Sequence, residues 1–254
     1  MELIMLGTGH AGVTESYNTC FLLHENNQYF LTDTGGGNGI LRQLKRAGVS
    51  PRDIHDVFIT HRHTDHMLGM LWLVRVARGS LLRIYAHDEV IHILSKMIVM
   101  LYPDTGMENI ELIAVQDGET RSVIGHDIMF FDIHSHKAKQ FGYKMEIGGG
   151  QTLTCLGDEP YSPLCYPYVH GSTWLMHEAF CLEAESDKYN PHRIAHSTVK
   201  DACENAAMLE VKHLILYHME EKTGADRKRL YTEEGRQYCS CPLFVPDDME
   251  RLKL

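Results

Sequence analysis

Three histidines and a carboxylate fall within the run Thr60-His61-Arg62-His63-Thr64-Asp65-His66, directly behind the apolar stretch 57–60. Imidazole nitrogens and carboxylate oxygens are zinc-class ligands, and a catalytic site built from them keeps a position open for water. Histidines two apart can reach one metal from one side of a loop. Asp65 and His66, displaced along that loop, can serve a second ion beside the first. The bland reading is a polar loop entering a helix, with Asp65 near the helix start. For a lone histidine that reading would prevail. The density of donors behind a buried strand favours the metal.

The chain has 254 residues, 17 of them histidine, so where the other histidines fall matters. Its formal net charge is −10, which disfavours an extended nucleic-acid footprint while leaving room for a small anionic substrate held by metal ions. The apolar fraction of 44% and charged fraction of 23% are those of an ordinary globular protein. We read one domain over 1–254, long enough to bury a core without staples. No stretch approaches 18 uninterrupted apolar residues, so no membrane span is expected. Residues 1–6 lack the basic region and long apolar run of a signal peptide. The seven cysteines are odd in number and scattered, which argues against a disulfide framework and for a reducing cytoplasm. In Cys239-Ser240-Cys241, two thiols make half a structural zinc site, so free thiols near a turn are expected.

The donors need elements to position them. The pattern predicts strands at 3–6, 18–23 and 29–32, the last two as a hairpin. A glycine break at 35–37, a helix at 40–47 and a buried strand at 57–60 follow. Further on come a helix at 67–77, a strand at 82–86 and a helix at 88–102 stopped by Pro103. Helix 88–102 reads first as core packing; a lid or a dimer face are its other uses. Strands are expected at 128–133, 142–147, 152–156, 173–176 and 214–217, with Gly148-Gly149-Gly150 as a turn. A helix at 199–209 carries Val199, Ala202, Cys203 and Ala206 at i, i+3, i+4 and i+7. Two β-rich blocks, each followed by helix and strand, imply an α/β fold of two sheets with helices outside.

The whole pattern resembles the metallo-β-lactamase superfamily, and within it the ribonuclease Z branch. Leu6-Gly7-Thr8-Gly9 and Tyr17-Asn18-Thr19 resemble that branch's opening, and Leu31-Thr32-Asp33-Thr34-Gly35 its first motif. His136, six residues before Gly142-Tyr143, matches the third-motif histidine; His134 competes for that place. Leu156-Gly157-Asp158 matches the bridging aspartate. His177-Glu178-Ala179-Phe180 and His196-Ser197-Thr198 match the proton-transfer pair, and Leu216-Tyr217-His218 the last ligand. The tail 245–248 resembles the closing strand. The resemblance implies a four-layer αβ/βα sandwich with a dinuclear site between its sheets. It assigns one ion to His61, His63, His136 and Asp158, and the other to Asp65, His66, Asp158 and His218. Asp158 would bridge, with a hydroxide between the ions as nucleophile. Asp65 would orient that hydroxide or take its proton, and His196, oriented by Glu178, would protonate the leaving group. The ions would be zinc by ligand type, with manganese or iron also accepted.

The residues themselves agree with this assignment. His61, His136, Asp158, Glu178 and His218 each follow a predicted strand, where sites collect in open, mostly parallel sheets. The β-α-β unit through 173–217 puts Glu178 and His218 on one edge. His196 lies just before a helix start that Ser197 or Thr198 can cap, a corner suited to a phosphate. Asp33 reads either as an acceptor that orients a ligand histidine or as a turn residue. Gly7-Thr8-Gly9-His10-Ala11-Gly12 imitates a dinucleotide fingerprint, but the strand-like run after it is not the helix that fingerprint needs. His10 could line the pocket or stand in solvent.

The chain also departs from ribonuclease Z. Those enzymes carry a long arm that grips transfer RNA between the third-motif histidine and the bridging aspartate. Here 22 residues separate His136 from Asp158, and the predicted strands use them all. Where the family carries basic residues in its first loop and an arginine after the last histidine, this chain has Thr14-Glu15-Ser16 and Met219-Glu220-Glu221-Lys222. The expectation is therefore hydrolysis of a small or short phosphodiester, such as a cyclic nucleotide, an oligonucleotide end or a phosphodiester metabolite, and not transfer RNA. The alternatives are a lactonase or thioesterase and a non-catalytic metal-binding protein. A homodimer is what the resemblance implies.

Overall fold

Runs that are apolar at every position, such as Leu3-Ile4-Met5-Leu6, suit strands buried on both faces, and the fold has room for several of these. The computed structural model describes residues 1–77, 79–103 and 108–254. Its first strands are β1 (Glu2–Gly7), β2 (Cys20–Glu25), β3 (Gln28–Thr32), β4 (Asp56–Phe58), β5 (Leu82–Ala86) and β6 (Ile110–Ala114). Then come β7 (Thr120–Val123), β8 (His126–Asp132), β9 (Phe141–Gly148), β10 (Gln151–Cys155), β11 (Trp174–Glu178), β12 (His213–Tyr217), β13 (Leu243–Phe244) and β14 (Arg251–Lys253). The helices are α1 (Gly39–Ala47), α2 (Thr64–Met67), α3 (Gly69–Val76), α4 (Asp88–Leu101), α5 (Tyr166–Val169), α6 (Ser186–Tyr189), α7 (Val199–Met208) and α8 (Arg227–Gly235).

The strands form two sheets, ordered β14-β1-β2-β3-β4-β5-β6 and β13-β12-β11-β10-β9-β8-β7. In each, an antiparallel part passes into a parallel part: β3 to β6 run parallel in the first, and β10 to β13 in the second. Alternate residues of each strand serve different layers. Leu3, Met5, Phe30 and Phe58 meet Phe130, Tyr143, Met176 and Tyr217 between the sheets. Ile4, Leu6, Val57 and Ile84 face outward onto Ile40, Leu44, Met70 and Leu94 of α1, α3 and α4. On the far side, Leu175, Leu214 and Leu216 pack against Val199, Ala202, Cys203 and Ala206 of α7. The layers are therefore helix, sheet, sheet, helix, the expected αβ/βα sandwich. Among the described residues, no helix is long and apolar enough to cross a membrane.

Most predicted elements lie within a residue or two of their observed bounds. The segment 67–77 differs. It begins earlier, as the turn α2, and restarts as α3. The break is a docking point: Thr34 N donates to His66 O and Gly69 N to Gly35 O. A Cβ on Gly69 would lie 2.0 Å from the Thr34 carbonyl oxygen, so only glycine permits the approach. The edge strands β6 and β7 and helix α8 carry weak patterns and were not predicted. Residues 245–248 are not a strand; pairing with β1 falls to β14 instead. The physical reason is Asp248, whose carboxylate turns inward to accept from Thr8 N, Thr8 Oγ1 and Tyr17 N. The glycines after β1 lead through a loop to β2, as expected, and the first helix begins at Gly39. β9, β10 and the three-glycine turn take up most of the chain between His136 and Asp158.

Gly69→Ala forces backbone against backbone at the point that fixes the histidine loop. Overpacking of this kind costs about 1–3 kcal/mol, so the urea midpoint of this variant is expected to fall by a corresponding amount with the m-value unchanged.

Candidate metal centre

The carboxyl ends of β3, β4, β10, β11 and β12 deliver Asp33, His61, Asp158, Glu178 and His218. Asp33 and His218 leave their strands at φ of +56° and +59°, the left-handed region that non-glycine residues rarely adopt. Asp33 accepts from Thr60 N at 2.8 Å and from Thr60 Oγ1, and its other contact is His66 Nδ1 at 2.7 Å. It is thus the acceptor that orients the His66 ring, not a simple turn residue. His63 begins α2, which carries Asp65 and His66 inward. Thr19 Oγ1 donates to Gly9 O and so accepts from His218 Nδ1, leaving His218 Nε2 as a lone pair.

These groups converge on one carboxylate. Asp158 Oδ1 lies 3.6 Å from His61 Nε2, and Oδ2 lies 3.5 Å from both His66 Nε2 and His218 Nε2. Asp65 Oδ2 lies 3.2 Å from His66 Nε2. All five side chains are buried. Donor atoms within 4.8 Å of one another form three groups: His61, His66 and Asp158; Asp65, His66 and His218; Asp158, His196 and His218. His61 Nε2 and His66 Nε2 are buried without a hydrogen-bond partner.

The electrostatics point the same way. Burial pushes His61 and His218 well below the usual histidine range. Burial opposes charge on His66 too, but Asp33, Asp158 and Asp65 outweigh it and hold that ring well above the usual range. Burial likewise opposes the Asp158 charge, and His61, His66 and His218 hold its carboxyl well below the usual carboxylate range. Without a metal, His66 and Lys137, whose Nζ lies 3.8 Å from Asp158 Oδ2, face the three buried carboxylates of Asp33, Asp65 and Asp158, a cluster short of positive charge. Two orphaned imidazole nitrogens around a shared carboxylate are what a divalent cation needs, so the donor set fits one.

A second pair stands beside it. Glu178 is fully buried at the end of β11. Its Oε1 accepts from Ser197 N, and its Oε2 lies 3.4 Å from His196 Nδ1 with no other partner. Thr198 and Asp201 form a capping box at the start of α7, fixing the segment that carries His196. The His196 ring stands 5.1 Å from that of His218 and stacks on Phe180. His10 is half-buried against the edge of Phe180, so it borders the site instead of standing in solvent.

Two expected ligands stand apart from these groups. His63 is half-buried with its ring 4.4 Å from that of His61. His136 is exposed and lines a cleft of about 360 Å³ together with His134, Tyr161 and His196. The cause is local: Ser135 Oγ accepts from Lys137 N and Ala138 N and donates to Glu159, a tight turn that holds His136 outward. Facing Asp158 instead is the buried Gln140, which donates to its carboxylate and lies 2.8 Å from His61 Nδ1. Lys137 Nζ reaches Asp158 O at 3.2 Å. Gln140 and Lys137 escaped sequence reasoning, because nothing in their types or spacing marks them; Thr19 was visible only as part of an opening motif, without a role.

The family described as anti-Pycsar protein Apyc1 matches residues 1–229. The chain belongs to that family. It is also similar to the ribonuclease Z of Thermococcus sibiricus, 26% identical, with 100% of this chain and 96% of the relative covered. That alignment runs over 310 positions, so the relative carries segments with no counterpart here. Among solved structures, the metallo-β-lactamase fold protein YhfI of Bacillus subtilis superposes with a TM-score of 0.81 at 18% identity, covering 99% of this chain and 98% of that one. Human tRNase Z, short form, does so with a TM-score of 0.78 at 20% identity, covering 100% and 99%. The Apyc1-family chain thus has the metallo-β-lactamase fold and is similar in sequence to ribonuclease Z. Relatives and donor clusters together support a metal-dependent hydrolase.

Removing a carboxylate that orients a metal-ligating histidine typically costs 10–100-fold in affinity. Asp33→Ala is therefore expected to weaken zinc binding about 10–100-fold in competition with a chromogenic chelator. Asp187→Ala, at an exposed carboxylate, leaves it unchanged.

Proposed function

We propose that this chain hydrolyses a small or short phosphodiester with two divalent ions of the zinc class. His61, His66, Asp65, Asp158 and His218 would hold them, with Asp158 shared. His63, half-buried beside His61, and His136, exposed in the neighbouring cleft, are the further imidazoles that would complete the set on metal binding. Bound there, divalent ions would supply a nucleophilic water at neutral pH and charge for the developing oxyanions.

The observation that carries the reading is the Glu178–His196 pair. A buried carboxylate with one oxygen fixed by a backbone amide orients an imidazole at the edge of the metal donors. His196 shares a donor group with Asp158 and His218, so its ring can reach a leaving oxygen at that point. An alkoxide leaving group of high pKa needs a proton in the transition state, and a positioned histidine supplies it. Thioester hydrolysis expels a thiolate of lower pKa and has less use for such a donor; a lactone, which also expels an alkoxide, is separated by the parallel assays below. Asp65, whose Oδ2 lies 3.2 Å from His66 Nε2, would orient the attacking water.

The choice of a small substrate rests on what surrounds the site. The Glu221 carboxylate accepts from Thr14 N, Glu15 N and Ser16 N, so the two places where the family carries cations are here joined by an anion. The cleft beside His196 is walled by Tyr161, Pro160 and Pro163, which suits a compact group more than a long polyanion.

General acid catalysis is worth roughly 10²–10⁴-fold. His196→Ala should lower kcat by about that factor on an alkyl phosphodiester, with metal content retained. On a nitrophenyl diester, whose leaving group departs without a proton, the loss should be much smaller. Equal losses on both would remove the proton-donor role. Turnover of only a lactone or thioester in parallel assays would replace the phosphodiesterase reading with the alternative.

A further inference from the structure

Outside the metal centre, three thiols meet where α7, the end of α8 and the approach to β13 come together. Cys203 lies on the buried face of α7. Gly235, at the end of α8, packs so closely on it that a Cβ there would lie 2.9 Å from Cys203 Sγ. Cys239 N donates to Gly235 O, which anchors the following turn. That turn brings Cys239 Sγ to 2.9 Å from Cys241 Sγ. All seven cysteines are free. The expectation of free thiols near a turn holds, and the structure adds a third thiol and the closeness of the pair.

We propose that Cys239 and Cys241 are a reversible dithiol–disulfide pair, with hydrogen peroxide as the oxidant. A disulfide spans about 2.05 Å, so a sulfur displacement of under ~1 Å closes the bond. Hydrogen bonds from the Cys203 thiol, and next from the Cys241 thiol, favour the thiolate of Cys239 and lower its pKa. The thiolate is the nucleophile in such chemistry. Cys239 attacks the peroxide O–O bond, which gives a sulfenic acid and one water. Cys241 attacks that sulfur, the S–S bond forms, the S–O bond breaks and a second water leaves. Two thiols lose two electrons and two protons, and the peroxide is reduced to two waters. Cys239 is 7% exposed and its neighbour Cys241 is partly exposed, so the reagent reaches the pair from the Cys241 side, whereas Cys203 is fully buried. Among the described residues, these three sulfurs do not form one of the close donor groups of metal spacing, which separates the pair from a thiolate metal site.

The test uses the full chain, treated with hydrogen peroxide and then alkylated, digested with trypsin and weighed. Both cysteines fall in the tryptic peptide 237–251, and Cys203 falls in 201–212. The expected result is that peptide 237–251 loses two hydrogens, escapes alkylation and regains both on reduction. Cys203→Ser keeps that loss, and Cys241→Ser abolishes it. A cross-link between 201–212 and 237–251 would overturn the pairing, as would over-oxidation of Cys239 with no disulfide. A metal ion that purifies with the chain and is lost in Cys241→Ser would show a metal site instead.

Discussion

A single buried carboxylate faces three imidazoles, and the rest of the structure is arranged to make that tolerable. Asp158 is 3% exposed and holds His61, His66 and His218 within 3.6 Å. Charge at such depth is costly unless it is paired and hydrogen-bonded. The pairing is supplied from both sheets. His61 and His66 come from the loop after β4, His218 from the end of β12, and Asp158 itself from the end of β10. Phe141 N donates to Thr60 O, tying the start of β9 to the loop after β4 at this point. The two sheets are therefore hydrogen-bonded to each other beside the donors.

Around that centre, a second set of contacts fixes orientation. Asp33 holds His66 and Thr60, Thr19 holds His218, and Gln140 holds Asp158. Farther out, Asp248 in the C-terminal turn holds Thr8, whose carbonyl accepts from Met219 N, next to His218. Arg227 of α8 reaches the same Thr8 hydroxyl at 3.1 Å. The chain's two ends are thus joined beside the last histidine. The left-handed φ of Asp33 and His218 shows where the backbone gives way to side-chain placement, as it commonly does at functional sites.

Much of this was legible in the residues. The H-x-H-x-D-H run marks the centre because metal ligands are few in type and this run crowds them behind a strand. The unit β11–α7–β12 was readable because α7 keeps a strict apolar period and Thr198 caps it. The position of Gly69 between two helical pieces was not readable, since it answers to a carbonyl 35 residues away in the chain. The outward turn of His136 was hidden for a similar reason: Ser135 and Glu159 set it, and spacing alone does not reveal their contact. Gln140 shows the converse, a residue of unremarkable type that burial turns into a holder of the central carboxylate. The meeting of Cys203 with Cys239 and Cys241 depends on how α7 and α8 pack, which no local pattern states.

The central claim is that this cluster is a metal centre built around Asp158. The most direct measurement is calorimetric titration of zinc into chelator-stripped protein, with thermal unfolding followed on the same samples. The account predicts two ions bound per chain and a melting temperature that rises with zinc concentration, both damaged by Asp158→Ala. Binding of less than one ion per chain, or binding that Asp158→Ala leaves unchanged, would contradict it.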